Sequence, residues 1–196
     1  EVAEAVLAAT AVLVKLGATV EDVSLPILQH AAAIAQTISG VEGSFMRREY
    51  IYTRATDMDY LARVRALTGS LIPAQVYHKA MRLREVVRRQ VLGVLERFDV
   101  LVCPSAPTEA PKIPANPYII KSKDGVLGNI WGRSRVNAPF SLSGQPALSV
   151  PCGFTSNDLP IGLQIAGRPL DEWTVFNVGH AYEQATPWHM TRPPFG

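Results

Sequence analysis

The sequence lacks a strong excess of either charge, and this narrows the classes of partner that it is expected to bind. Its 19 basic and 17 acidic residues leave a formal net charge of +2. Nucleic acids and anionic membranes attract proteins through dense positive charge, so we expect neither as a partner. Four arginines of one predicted helix lie close together in sequence, but they spread around that helix and indicate a solvated face: Arg82, Arg84, Arg88 and Arg89.

Cysteine is also scarce, with only Cys103 and Cys152 in the chain. The two lie far apart and match no metal-binding or redox spacing, which favours a reducing, cytoplasmic setting. The histidines show no i, i+4 pair with a nearby acidic partner: His30, His78, His180 and His189. We therefore expect no metal and no other cofactor.

No segment is both long and apolar enough to predict a membrane span. The first 17 residues read EVAEAVLAATAVLVKLG, and the acidic Glu1 and Glu4 are unlike the basic start of a signal peptide. Their apolar residues recur at helical spacing and predict a helix that ends at Gly17. Because this opening lacks an initiator methionine, we expect the chain to begin within a longer protein.

What the sequence does contain is an alternation of helical and strand patterns, with 47% hydrophobic residues to build a core. The stretch ATVEDVSLP, residues 18–26, predicts a strand, and the next segment, to about Arg54, predicts one or two helices. A long amphipathic helix is predicted to begin at Pro73 and run to Phe98. It leads into an apolar run at residues 100–103, which is typical of a strand buried on both faces.

The C-terminal third predicts a hairpin followed by a helix. ALSVPCGF and PIGLQIAG read as two short buried strands, with Asn157 and Asp158 in the turn between them. Asp171 is a predicted N-cap for the last helix. The proline-rich segment before this region predicts an irregular surface excursion. Together these elements predict an α/β fold.

Three stretches carry a family resemblance: DVLVCPSAPTEAP, NAPFSLSGQPALSVPCGF and LPIGLQIAGRPLDEWTVFNVGHAYEQ. They resemble the C-terminal half of the amidase signature family, whose members are serine amide hydrolases. The resemblance implies the C-terminal half of an α/β/α fold with a mixed central sheet flanked by helices, and residues 1–196 as one portion of a single amidase domain. It implies the N-terminal half of that domain as a partner. Alone, this half is expected to expose a sheet edge and to aggregate or form a homo-oligomer.

The resemblance also implies what the chain does not supply. Family members cleave an amide to an acid and ammonia or an amine through an acyl-serine intermediate, using a Ser, cis-Ser, Lys triad in the N-terminal half. No segment here resembles the Gly/Ser-rich nucleophile loop, and Lys15 and Lys112 are not placed as the family's lysine is. We therefore expect no catalytic residue in this chain and no activity of the chain alone. Cys103, Cys152, Ser141 and Ser143 are not expected to be nucleophiles.

The expected contribution of the chain is a pocket for a small amide substrate. The residues that the resemblance places in its wall are Trp131, Ser134, Arg135, Ala138 and Ser141. Arg135 either pairs with a substrate carboxylate or faces water. Tyr50 and Arg63 match positions that bind polar substrate groups in the amidotransferase branch of the family, but a tyrosine at a helix edge and a surface arginine would give the same pattern.

Two alternatives to a simple amidase stay open. One is the glutaminase subunit of a tRNA-dependent amidotransferase, although VYHKAM lacks the run of tyrosines that is typical of that branch. The other is a noncatalytic binding or assembly module that keeps half of the fold. The coding sequence before Glu1 discriminates between them, because a Gly/Ser-rich nucleophile loop there favours an enzyme.

Overall fold

The structure, a computed structural model, describes residues 1–113 and 135–192 of the chain. The α-helices are α1 (Val2–Lys15), α2 (Ala31–Met46), α3 (Arg48–Thr53), α4 (Tyr60–Ser70), α5 (Ala74–Leu95), α6 (Ala138–Ser143) and α7 (Glu172–Gln184). The strands are β1 (Val100–Pro104), β2 (Ala147–Phe154) and β3 (Pro160–Gly167). Short 3₁₀ helices lie at Pro26–His30, Ala55–Asp57 and Trp188–Met190.

The three strands form an antiparallel sheet in the order β1-β3-β2. The β2–β3 hairpin confirms the predicted pair of strands and its turn. The hydroxyl oxygen of Thr155 accepts hydrogen bonds from the backbone N–H groups of Asn157 and Leu159, both at 3.3 Å. Asp158 takes a φ of +57°, a left-handed conformation that aspartate tolerates better than most residues. The side chain of Thr155 therefore fixes the turn that the sequence predicts.

One face of the sheet packs against α1 and α7. Leu163 and Ile165 of β3 are fully buried there, and Val175 and Tyr182 of α7 are almost so. The same cluster takes in Val6, Ala9 and Leu13, which lie on one side of α1 at the spacing that predicted this helix. Asp171 caps α7, because its carboxylate accepts from the backbone N–H of Thr174. This face is a closed layer of helix on sheet.

A second cluster lies on the opposite face and is built mainly from α2, α5 and α6. Ala166 of β3 belongs to it, with Leu101 and Cys103 of β1 packed against it. Val87 and Val91, on the stripe that predicted α5, are fully buried. The sheet is thus covered by helices on both faces, which confirms the predicted α/β class.

Gly69 of α4 and Gly40 of α2 set the distance between these two helices. Gly40 and Gly43 lie inside α2 without breaking it, and α3 follows as a separate helix. A Cβ placed on Gly69 of α4 would overlap the carbonyl group of Gly40. The two helices therefore approach so closely that residue 69 has no room for a side chain.

The long helix α5 begins directly after Pro73, close to the predicted start. Its far end is held by Arg168, which follows β3. The Arg168 guanidinium donates to the carbonyl oxygens of Leu95 at 2.9 Å and Phe98 at 3.2 Å, and pairs with Asp99 at 3.0 Å. The bond to Leu95 satisfies a carbonyl group that the end of α5 leaves unpaired, and the other two hold the segment that follows the helix.

Two predictions about strands are wrong. Residues 18–25 form no regular structure, and Val20 and Val23 are 43% and 39% exposed. An extended segment becomes a strand only when a neighbour pairs with its backbone, and the described sheet consists of β1, β3 and β2 alone. The strand β1 is only half-buried along its length, because it is an edge of the sheet rather than an interior strand.

Among the described residues, we find no helix with the length and apolar character needed to cross a bilayer.

Candidate functional site

The sheet carries two serines side by side at the end of β1. Ser105 follows β1 and its hydroxyl lies 2.5 Å from the hydroxyl of Ser149 on β2. They meet over Gly162 of the central strand, where a Cβ would come within 2.7 Å of the Ser105 Oγ and 2.9 Å of the Ser149 Oγ. The backbone N–H of Ser105 donates to the carbonyl of Gly162 at 2.8 Å. The absence of a side chain at residue 162 is thus what lets the hydroxyls touch.

These serines line an open cavity of about 350 Å³. Its walls are Val2, Ser105, Ala106, Thr108, Glu109, Ser149, Pro151, Pro160, Ile161 and Gly162. Glu109 is held at the rim by the side-chain amide of Asn157, at 3.3 Å. A cavity with hydroxyl groups and a carboxylate among apolar walls suits a small polar group. None of the predicted pocket residues that the structure describes lines this cavity. The alternation along ALSV, which places Ser149 on one face of β2, is the signal that could have predicted Ser149 as a lining residue.

The segment around α6 holds the predicted pocket residues that the structure describes. Trp131 and Ser134 lie outside the described residues. Arg135 and Ser141 are exposed, whereas Ala138 is buried in the second cluster. The helix is short because Gly144 ends it with a φ of +79°. Arg135 and Ser141 are therefore accessible from solvent, and the methyl group of Ala138 packs inside.

Side chains from other elements hold this segment in place. The Arg84 guanidinium of α5 donates to the carbonyl of Leu142 at 2.8 Å. Gln164 of β3 uses its amide N–H₂ to reach both the Val136 carbonyl and the Cys103 sulfur, each at 3.2 Å. The segment is thus tied to α5 and to the central strand.

Tyr50 and Arg63 lie in a different place, on the helical arm formed by residues 48–70. Tyr50 of α3 is half-exposed, with the Arg54 guanidinium 5.5 Å from its ring centre. Arg63 of α4 donates to the carbonyl of Ala55 at 3.3 Å, and its guanidinium lies 6.0 Å from the ring centre of Tyr60. Both α4 and α6 pack against α2, so α2 is the shared neighbour of the two groups of predicted residues.

A hydrogen bond between Tyr77 and Glu42 links α5 to α2. The Tyr77 hydroxyl donates to the Glu42 carboxylate at 3.0 Å. This bond raises the pKa of Tyr77 above its ordinary value, because it favours the protonated phenol. The bond therefore links α5, which carries Arg84, to α2, which packs against α4 of the arm.

The two thiols are poorly placed for nucleophilic chemistry. Burial raises the pKa of Cys152 to about 11. Burial also raises the pKa of Cys103, partly offset by the hydrogen bond from Gln164. Because the thiolate is the reactive form, both groups are almost entirely unreactive thiols at neutral pH. Within residues 1–113 and 135–192, no base lies in hydrogen-bond contact with either sulfur.

Ser143 of α6 is also poorly placed for nucleophilic attack. The Ser143 hydroxyl donates to the Pro139 carbonyl at 2.6 Å, one turn back in the same helix. In the part of the chain that the structure describes, no group of three or more His, Cys, Asp or Glu side chains is arranged to hold a metal ion.

Comparison with known proteins assigns the chain to a family. The family model described as Amidase matches residues 1–176, which is most of the chain. The chain belongs to the amidase signature family. Members of this family are amide hydrolases.

Individual relatives agree with this amidase assignment. The chain is 36% identical over 216 residues to a glutamyl-tRNA(Gln) amidotransferase subunit of Geobacillus stearothermophilus, covering 98% of this chain and 43% of that protein. It superposes on the crystal structure of the corresponding subunit from Thermotoga maritima with a TM-score of 0.71 and 28% identity, over 95% of this chain and 39% of that one.

A 6-aminohexanoate cyclic dimer hydrolase solved with its substrate shares the fold. Its TM-score is 0.81 at 23% identity, over 99% of this chain and 43% of that one. The chain therefore spans less than half the length of the proteins that it matches.

Proposed function

We propose that this chain is the C-terminal portion of a serine amide hydrolase domain and supplies its scaffold and substrate pocket. The observation that carries the proposal is the extent of the match: 98% of this chain aligns with only 43% of a glutamyl-tRNA(Gln) amidotransferase subunit. The remaining length of such relatives is where the Ser, cis-Ser, Lys triad is expected. The N-terminal portion of the domain is then the chain's partner.

The chemistry explains this division. A serine hydroxyl attacks an amide carbonyl only when a base removes its proton and hydrogen-bond donors stabilise the oxyanion that forms. Attack gives an acyl-serine and releases ammonia or an amine, and water then releases the acid. In the described residues the Ser143 hydroxyl bonds to backbone and the thiols are protonated. These groups suit binding and support better than bond cleavage.

The proposed pocket combines the α6 segment with the helical arm. Arg135, Ala138 and Ser141 stay proposals for its wall, as do Trp131 and Ser134. On the arm, Tyr50 and Arg63 are proposed to contact the polar end of the substrate. Arg63 is held by the Ala55 carbonyl through one Nη atom, which leaves further donors for a substrate carboxylate.

The substrate distinguishes two versions of this function. A simple amidase accepts uncharged amides, whereas a glutaminase-type subunit of a tRNA-dependent amidotransferase accepts glutamine and passes on its ammonia. The second version is favoured by the identity with glutamyl-tRNA(Gln) amidotransferase subunits over 98% of the chain. A noncatalytic assembly module is the third candidate, and it predicts no turnover of either substrate. We propose a cytoplasmic location for all three.

The full-length protein that carries this chain tests the proposal directly. Ammonia release is measured from glutamine and from an uncharged amide of similar size. A glutaminase turns over glutamine, a simple amidase prefers the uncharged amide, and the absence of turnover with both overturns the enzymatic proposal. The sequence encoded before Glu1 is read in parallel for a Gly/Ser-rich nucleophile loop.

Substitution at Arg63 sharpens the substrate assignment. Arg63→Lys keeps the charge but loses the planar fork, so we expect the KM for glutamine to rise by about 10-fold and the KM for an uncharged amide to stay unchanged. Arg65→Lys, on the same helix, is the matched control. Equal effects on both substrates would remove Arg63 from the pocket.

A further inference from the structure

The cavity beside Ser105 and Ser149 is separate from the proposed amide pocket. Its lining residues come from the start of α1, the segment after β1, and the strands β2 and β3. The proposed pocket residues that the structure describes lie instead on α3, on α4 and around α6. The cavity has a volume of about 350 Å³, at the lower end of the range for small-molecule sites. It is therefore large enough for a small organic ligand.

A carboxylate gives this cavity its charge. Among the described residues that line the cavity, Glu109 alone is charged. No lysine, arginine or histidine in the described part of the chain forms an ion pair with it. The cavity therefore carries a negative charge that the described residues do not neutralise, and this charge favours a cation over an anion.

The β2–β3 turn positions the Glu109 carboxylate. The side-chain amide of Asn157 donates to Glu109 Oε2 at 3.3 Å. Asn157 is itself held, because its backbone N–H donates to the hydroxyl of the buried Thr155 at 3.3 Å. The second carboxylate oxygen, Oε1, has no hydrogen-bond partner among the described residues. The turn thus anchors one oxygen of the carboxylate and leaves the other available to a ligand.

The two serines add further hydrogen-bond acceptors. Their hydroxyl oxygens lie 2.5 Å apart, so one hydroxyl hydrogen lies between them and the other is left over. Because each hydroxyl oxygen has two lone pairs, the bond within the pair leaves more free acceptor positions than free hydrogens. Oε1 of Glu109 adds to this excess of acceptors. A group that only donates hydrogen bonds, such as an ammonium, suits these side chains.

The remaining walls are mainly apolar, and they argue against a bare metal ion. The apolar lining residues are Val2, Ala106, Pro151, Pro160 and Ile161. A hard metal ion takes several oxygen ligands, and the described residues contain no group of three or more His, Cys, Asp or Glu side chains that could hold one. An organic cation with a short alkyl chain matches both the carboxylate and the apolar walls.

We propose that this cavity binds a primary alkylammonium ion, with its ammonium group at Glu109 and the serine pair and its alkyl chain against the apolar walls. The site goes beyond the proposed function, because none of the described residues assigned to the amide pocket lines it. Two sources share this ligand chemistry. One is the amine that the proposed hydrolysis releases, and the other is a free amine from solution.

The test is titration of the full-length protein with n-butylammonium chloride, followed by calorimetry. We expect a Kd in the millimolar range, because so small a ligand makes few contacts. Glu109→Gln keeps an oxygen for Asn157 but removes the charge, so the Kd should rise about 10-fold. Ser149→Ala should raise it about 3-fold. Glu96→Gln is the matched control, since it removes an exposed carboxylate at the end of α5 and should leave the Kd unchanged.

Changes to the ligand test the two halves of the site without any variant. The alcohol 1-butanol has nearly the shape of n-butylammonium but no charge, so it should bind at least about 10-fold more weakly. Shortening the alkyl chain from butyl to methyl should raise the Kd by about 2-fold to 4-fold for each CH₂ removed, because less apolar surface is buried. General attraction of cations to the protein surface predicts no such dependence on chain length.

Competition with an amide substrate separates the two sources. Competitive inhibition by butylammonium identifies the ligand as the released amine, and binding without competition identifies a free amine; either result supports the site. Three results would overturn it: no binding to the full-length wild type, equal Kd values for butylammonium and 1-butanol, or equal effects of Glu109→Gln and Glu96→Gln. Amide hydrolysis by the wild-type protein is measured separately, so failure of this site and failure of the proposed function are distinguishable.

Discussion

The layer formed by the sheet, α1 and α7 differs from the helical arm of residues 48–70 in how completely each buries itself. The first layer places Leu163 and Ile165 in full burial. The arm exposes Tyr52 to 85% and leaves Tyr50 and Leu67 about half-exposed. Arg54 and Arg63 lie over aromatic rings of the arm rather than in a core. The difference teaches that the helix-and-sheet region is a complete layer in its burial of apolar side chains, whereas the arm leaves aromatic side chains exposed to solvent.

The largest expected effect is at the centre of the complete layer. Leu163→Ala removes a fully buried side chain from β3, and we expect the free energy of unfolding to fall by about 2–5 kcal/mol. Leu67→Ala, on the arm, is the matched control and should cost well under half as much, since that side chain is 44% exposed. Urea unfolding measures both, and equal losses would contradict the contrast between the regions.

The joint between the arm and α2 should be the next most sensitive position. Gly69→Ala forces a Cβ onto the Gly40 carbonyl, so we expect a loss of about 1–3 kcal/mol. Gly93→Ala in α5 meets nothing within 4 Å and should stabilise the protein by about 0.5–1 kcal/mol through helix propensity. Thermal unfolding compares the two, and a neutral Gly69→Ala would show that the helices separate easily.

Helix capping offers a smaller test on the complete layer. The Asp171 carboxylate accepts from the backbone N–H of Thr174 at 3.3 Å and from its hydroxyl at 2.8 Å. Asp171→Ala should therefore cost about 1 kcal/mol, while Asp171→Ser keeps a capping oxygen and should cost less. Urea midpoints measure the difference. If the two variants unfold alike, the cap contributes nothing.

The smallest expected effect concerns pH. Burial raises the pKa of Cys152 from 9.0 to about 11, so the folded state holds this proton more tightly than the unfolded state. The stabilisation is fully present below about pH 9 and is lost as the pH rises toward 11. Cys152→Ala should make the decline in stability shallower over that interval. Cys103→Ala is the comparison, and an unchanged slope for Cys152→Ala would remove the thiol as its cause.

Local patterns predicted the hairpin and the long helix correctly for a physical reason. The turn at Asn157 and Asp158 depends on residues within a few positions of each other. The helix α5 has apolar residues at regular helical spacing along one side, which is a pattern visible in the sequence. The strand predicted at residues 18–26 failed because its alternation carried no information about a pairing neighbour. The sequence pattern also did not predict that β1 is only half-buried, for the same reason.

The candidate site likewise contains residues that the sequence predicted and residues that it did not. Arg63 and Tyr50 were predicted from the resemblance, and the structure places both on the helical arm. The meeting of Ser105 with Ser149 over Gly162 was missed, since residues 105 and 149 are joined only by strand pairing. The buried amide of Gln145, which has no hydrogen-bond partner among the described residues, was missed as well, because burial of a polar side chain depends on what surrounds it.

By itself the sequence determined α1, α5, α7, the hairpin, the modest charge and the resemblance to amide hydrolases, because each follows from neighbouring residues or from continuous motifs. Only the tertiary structure decided which strands lie at the edges, which glutamine finds its partners and which residues share a cavity. These properties depend on contacts between segments that are far apart in the chain. The order of neighbouring residues therefore does not predict them.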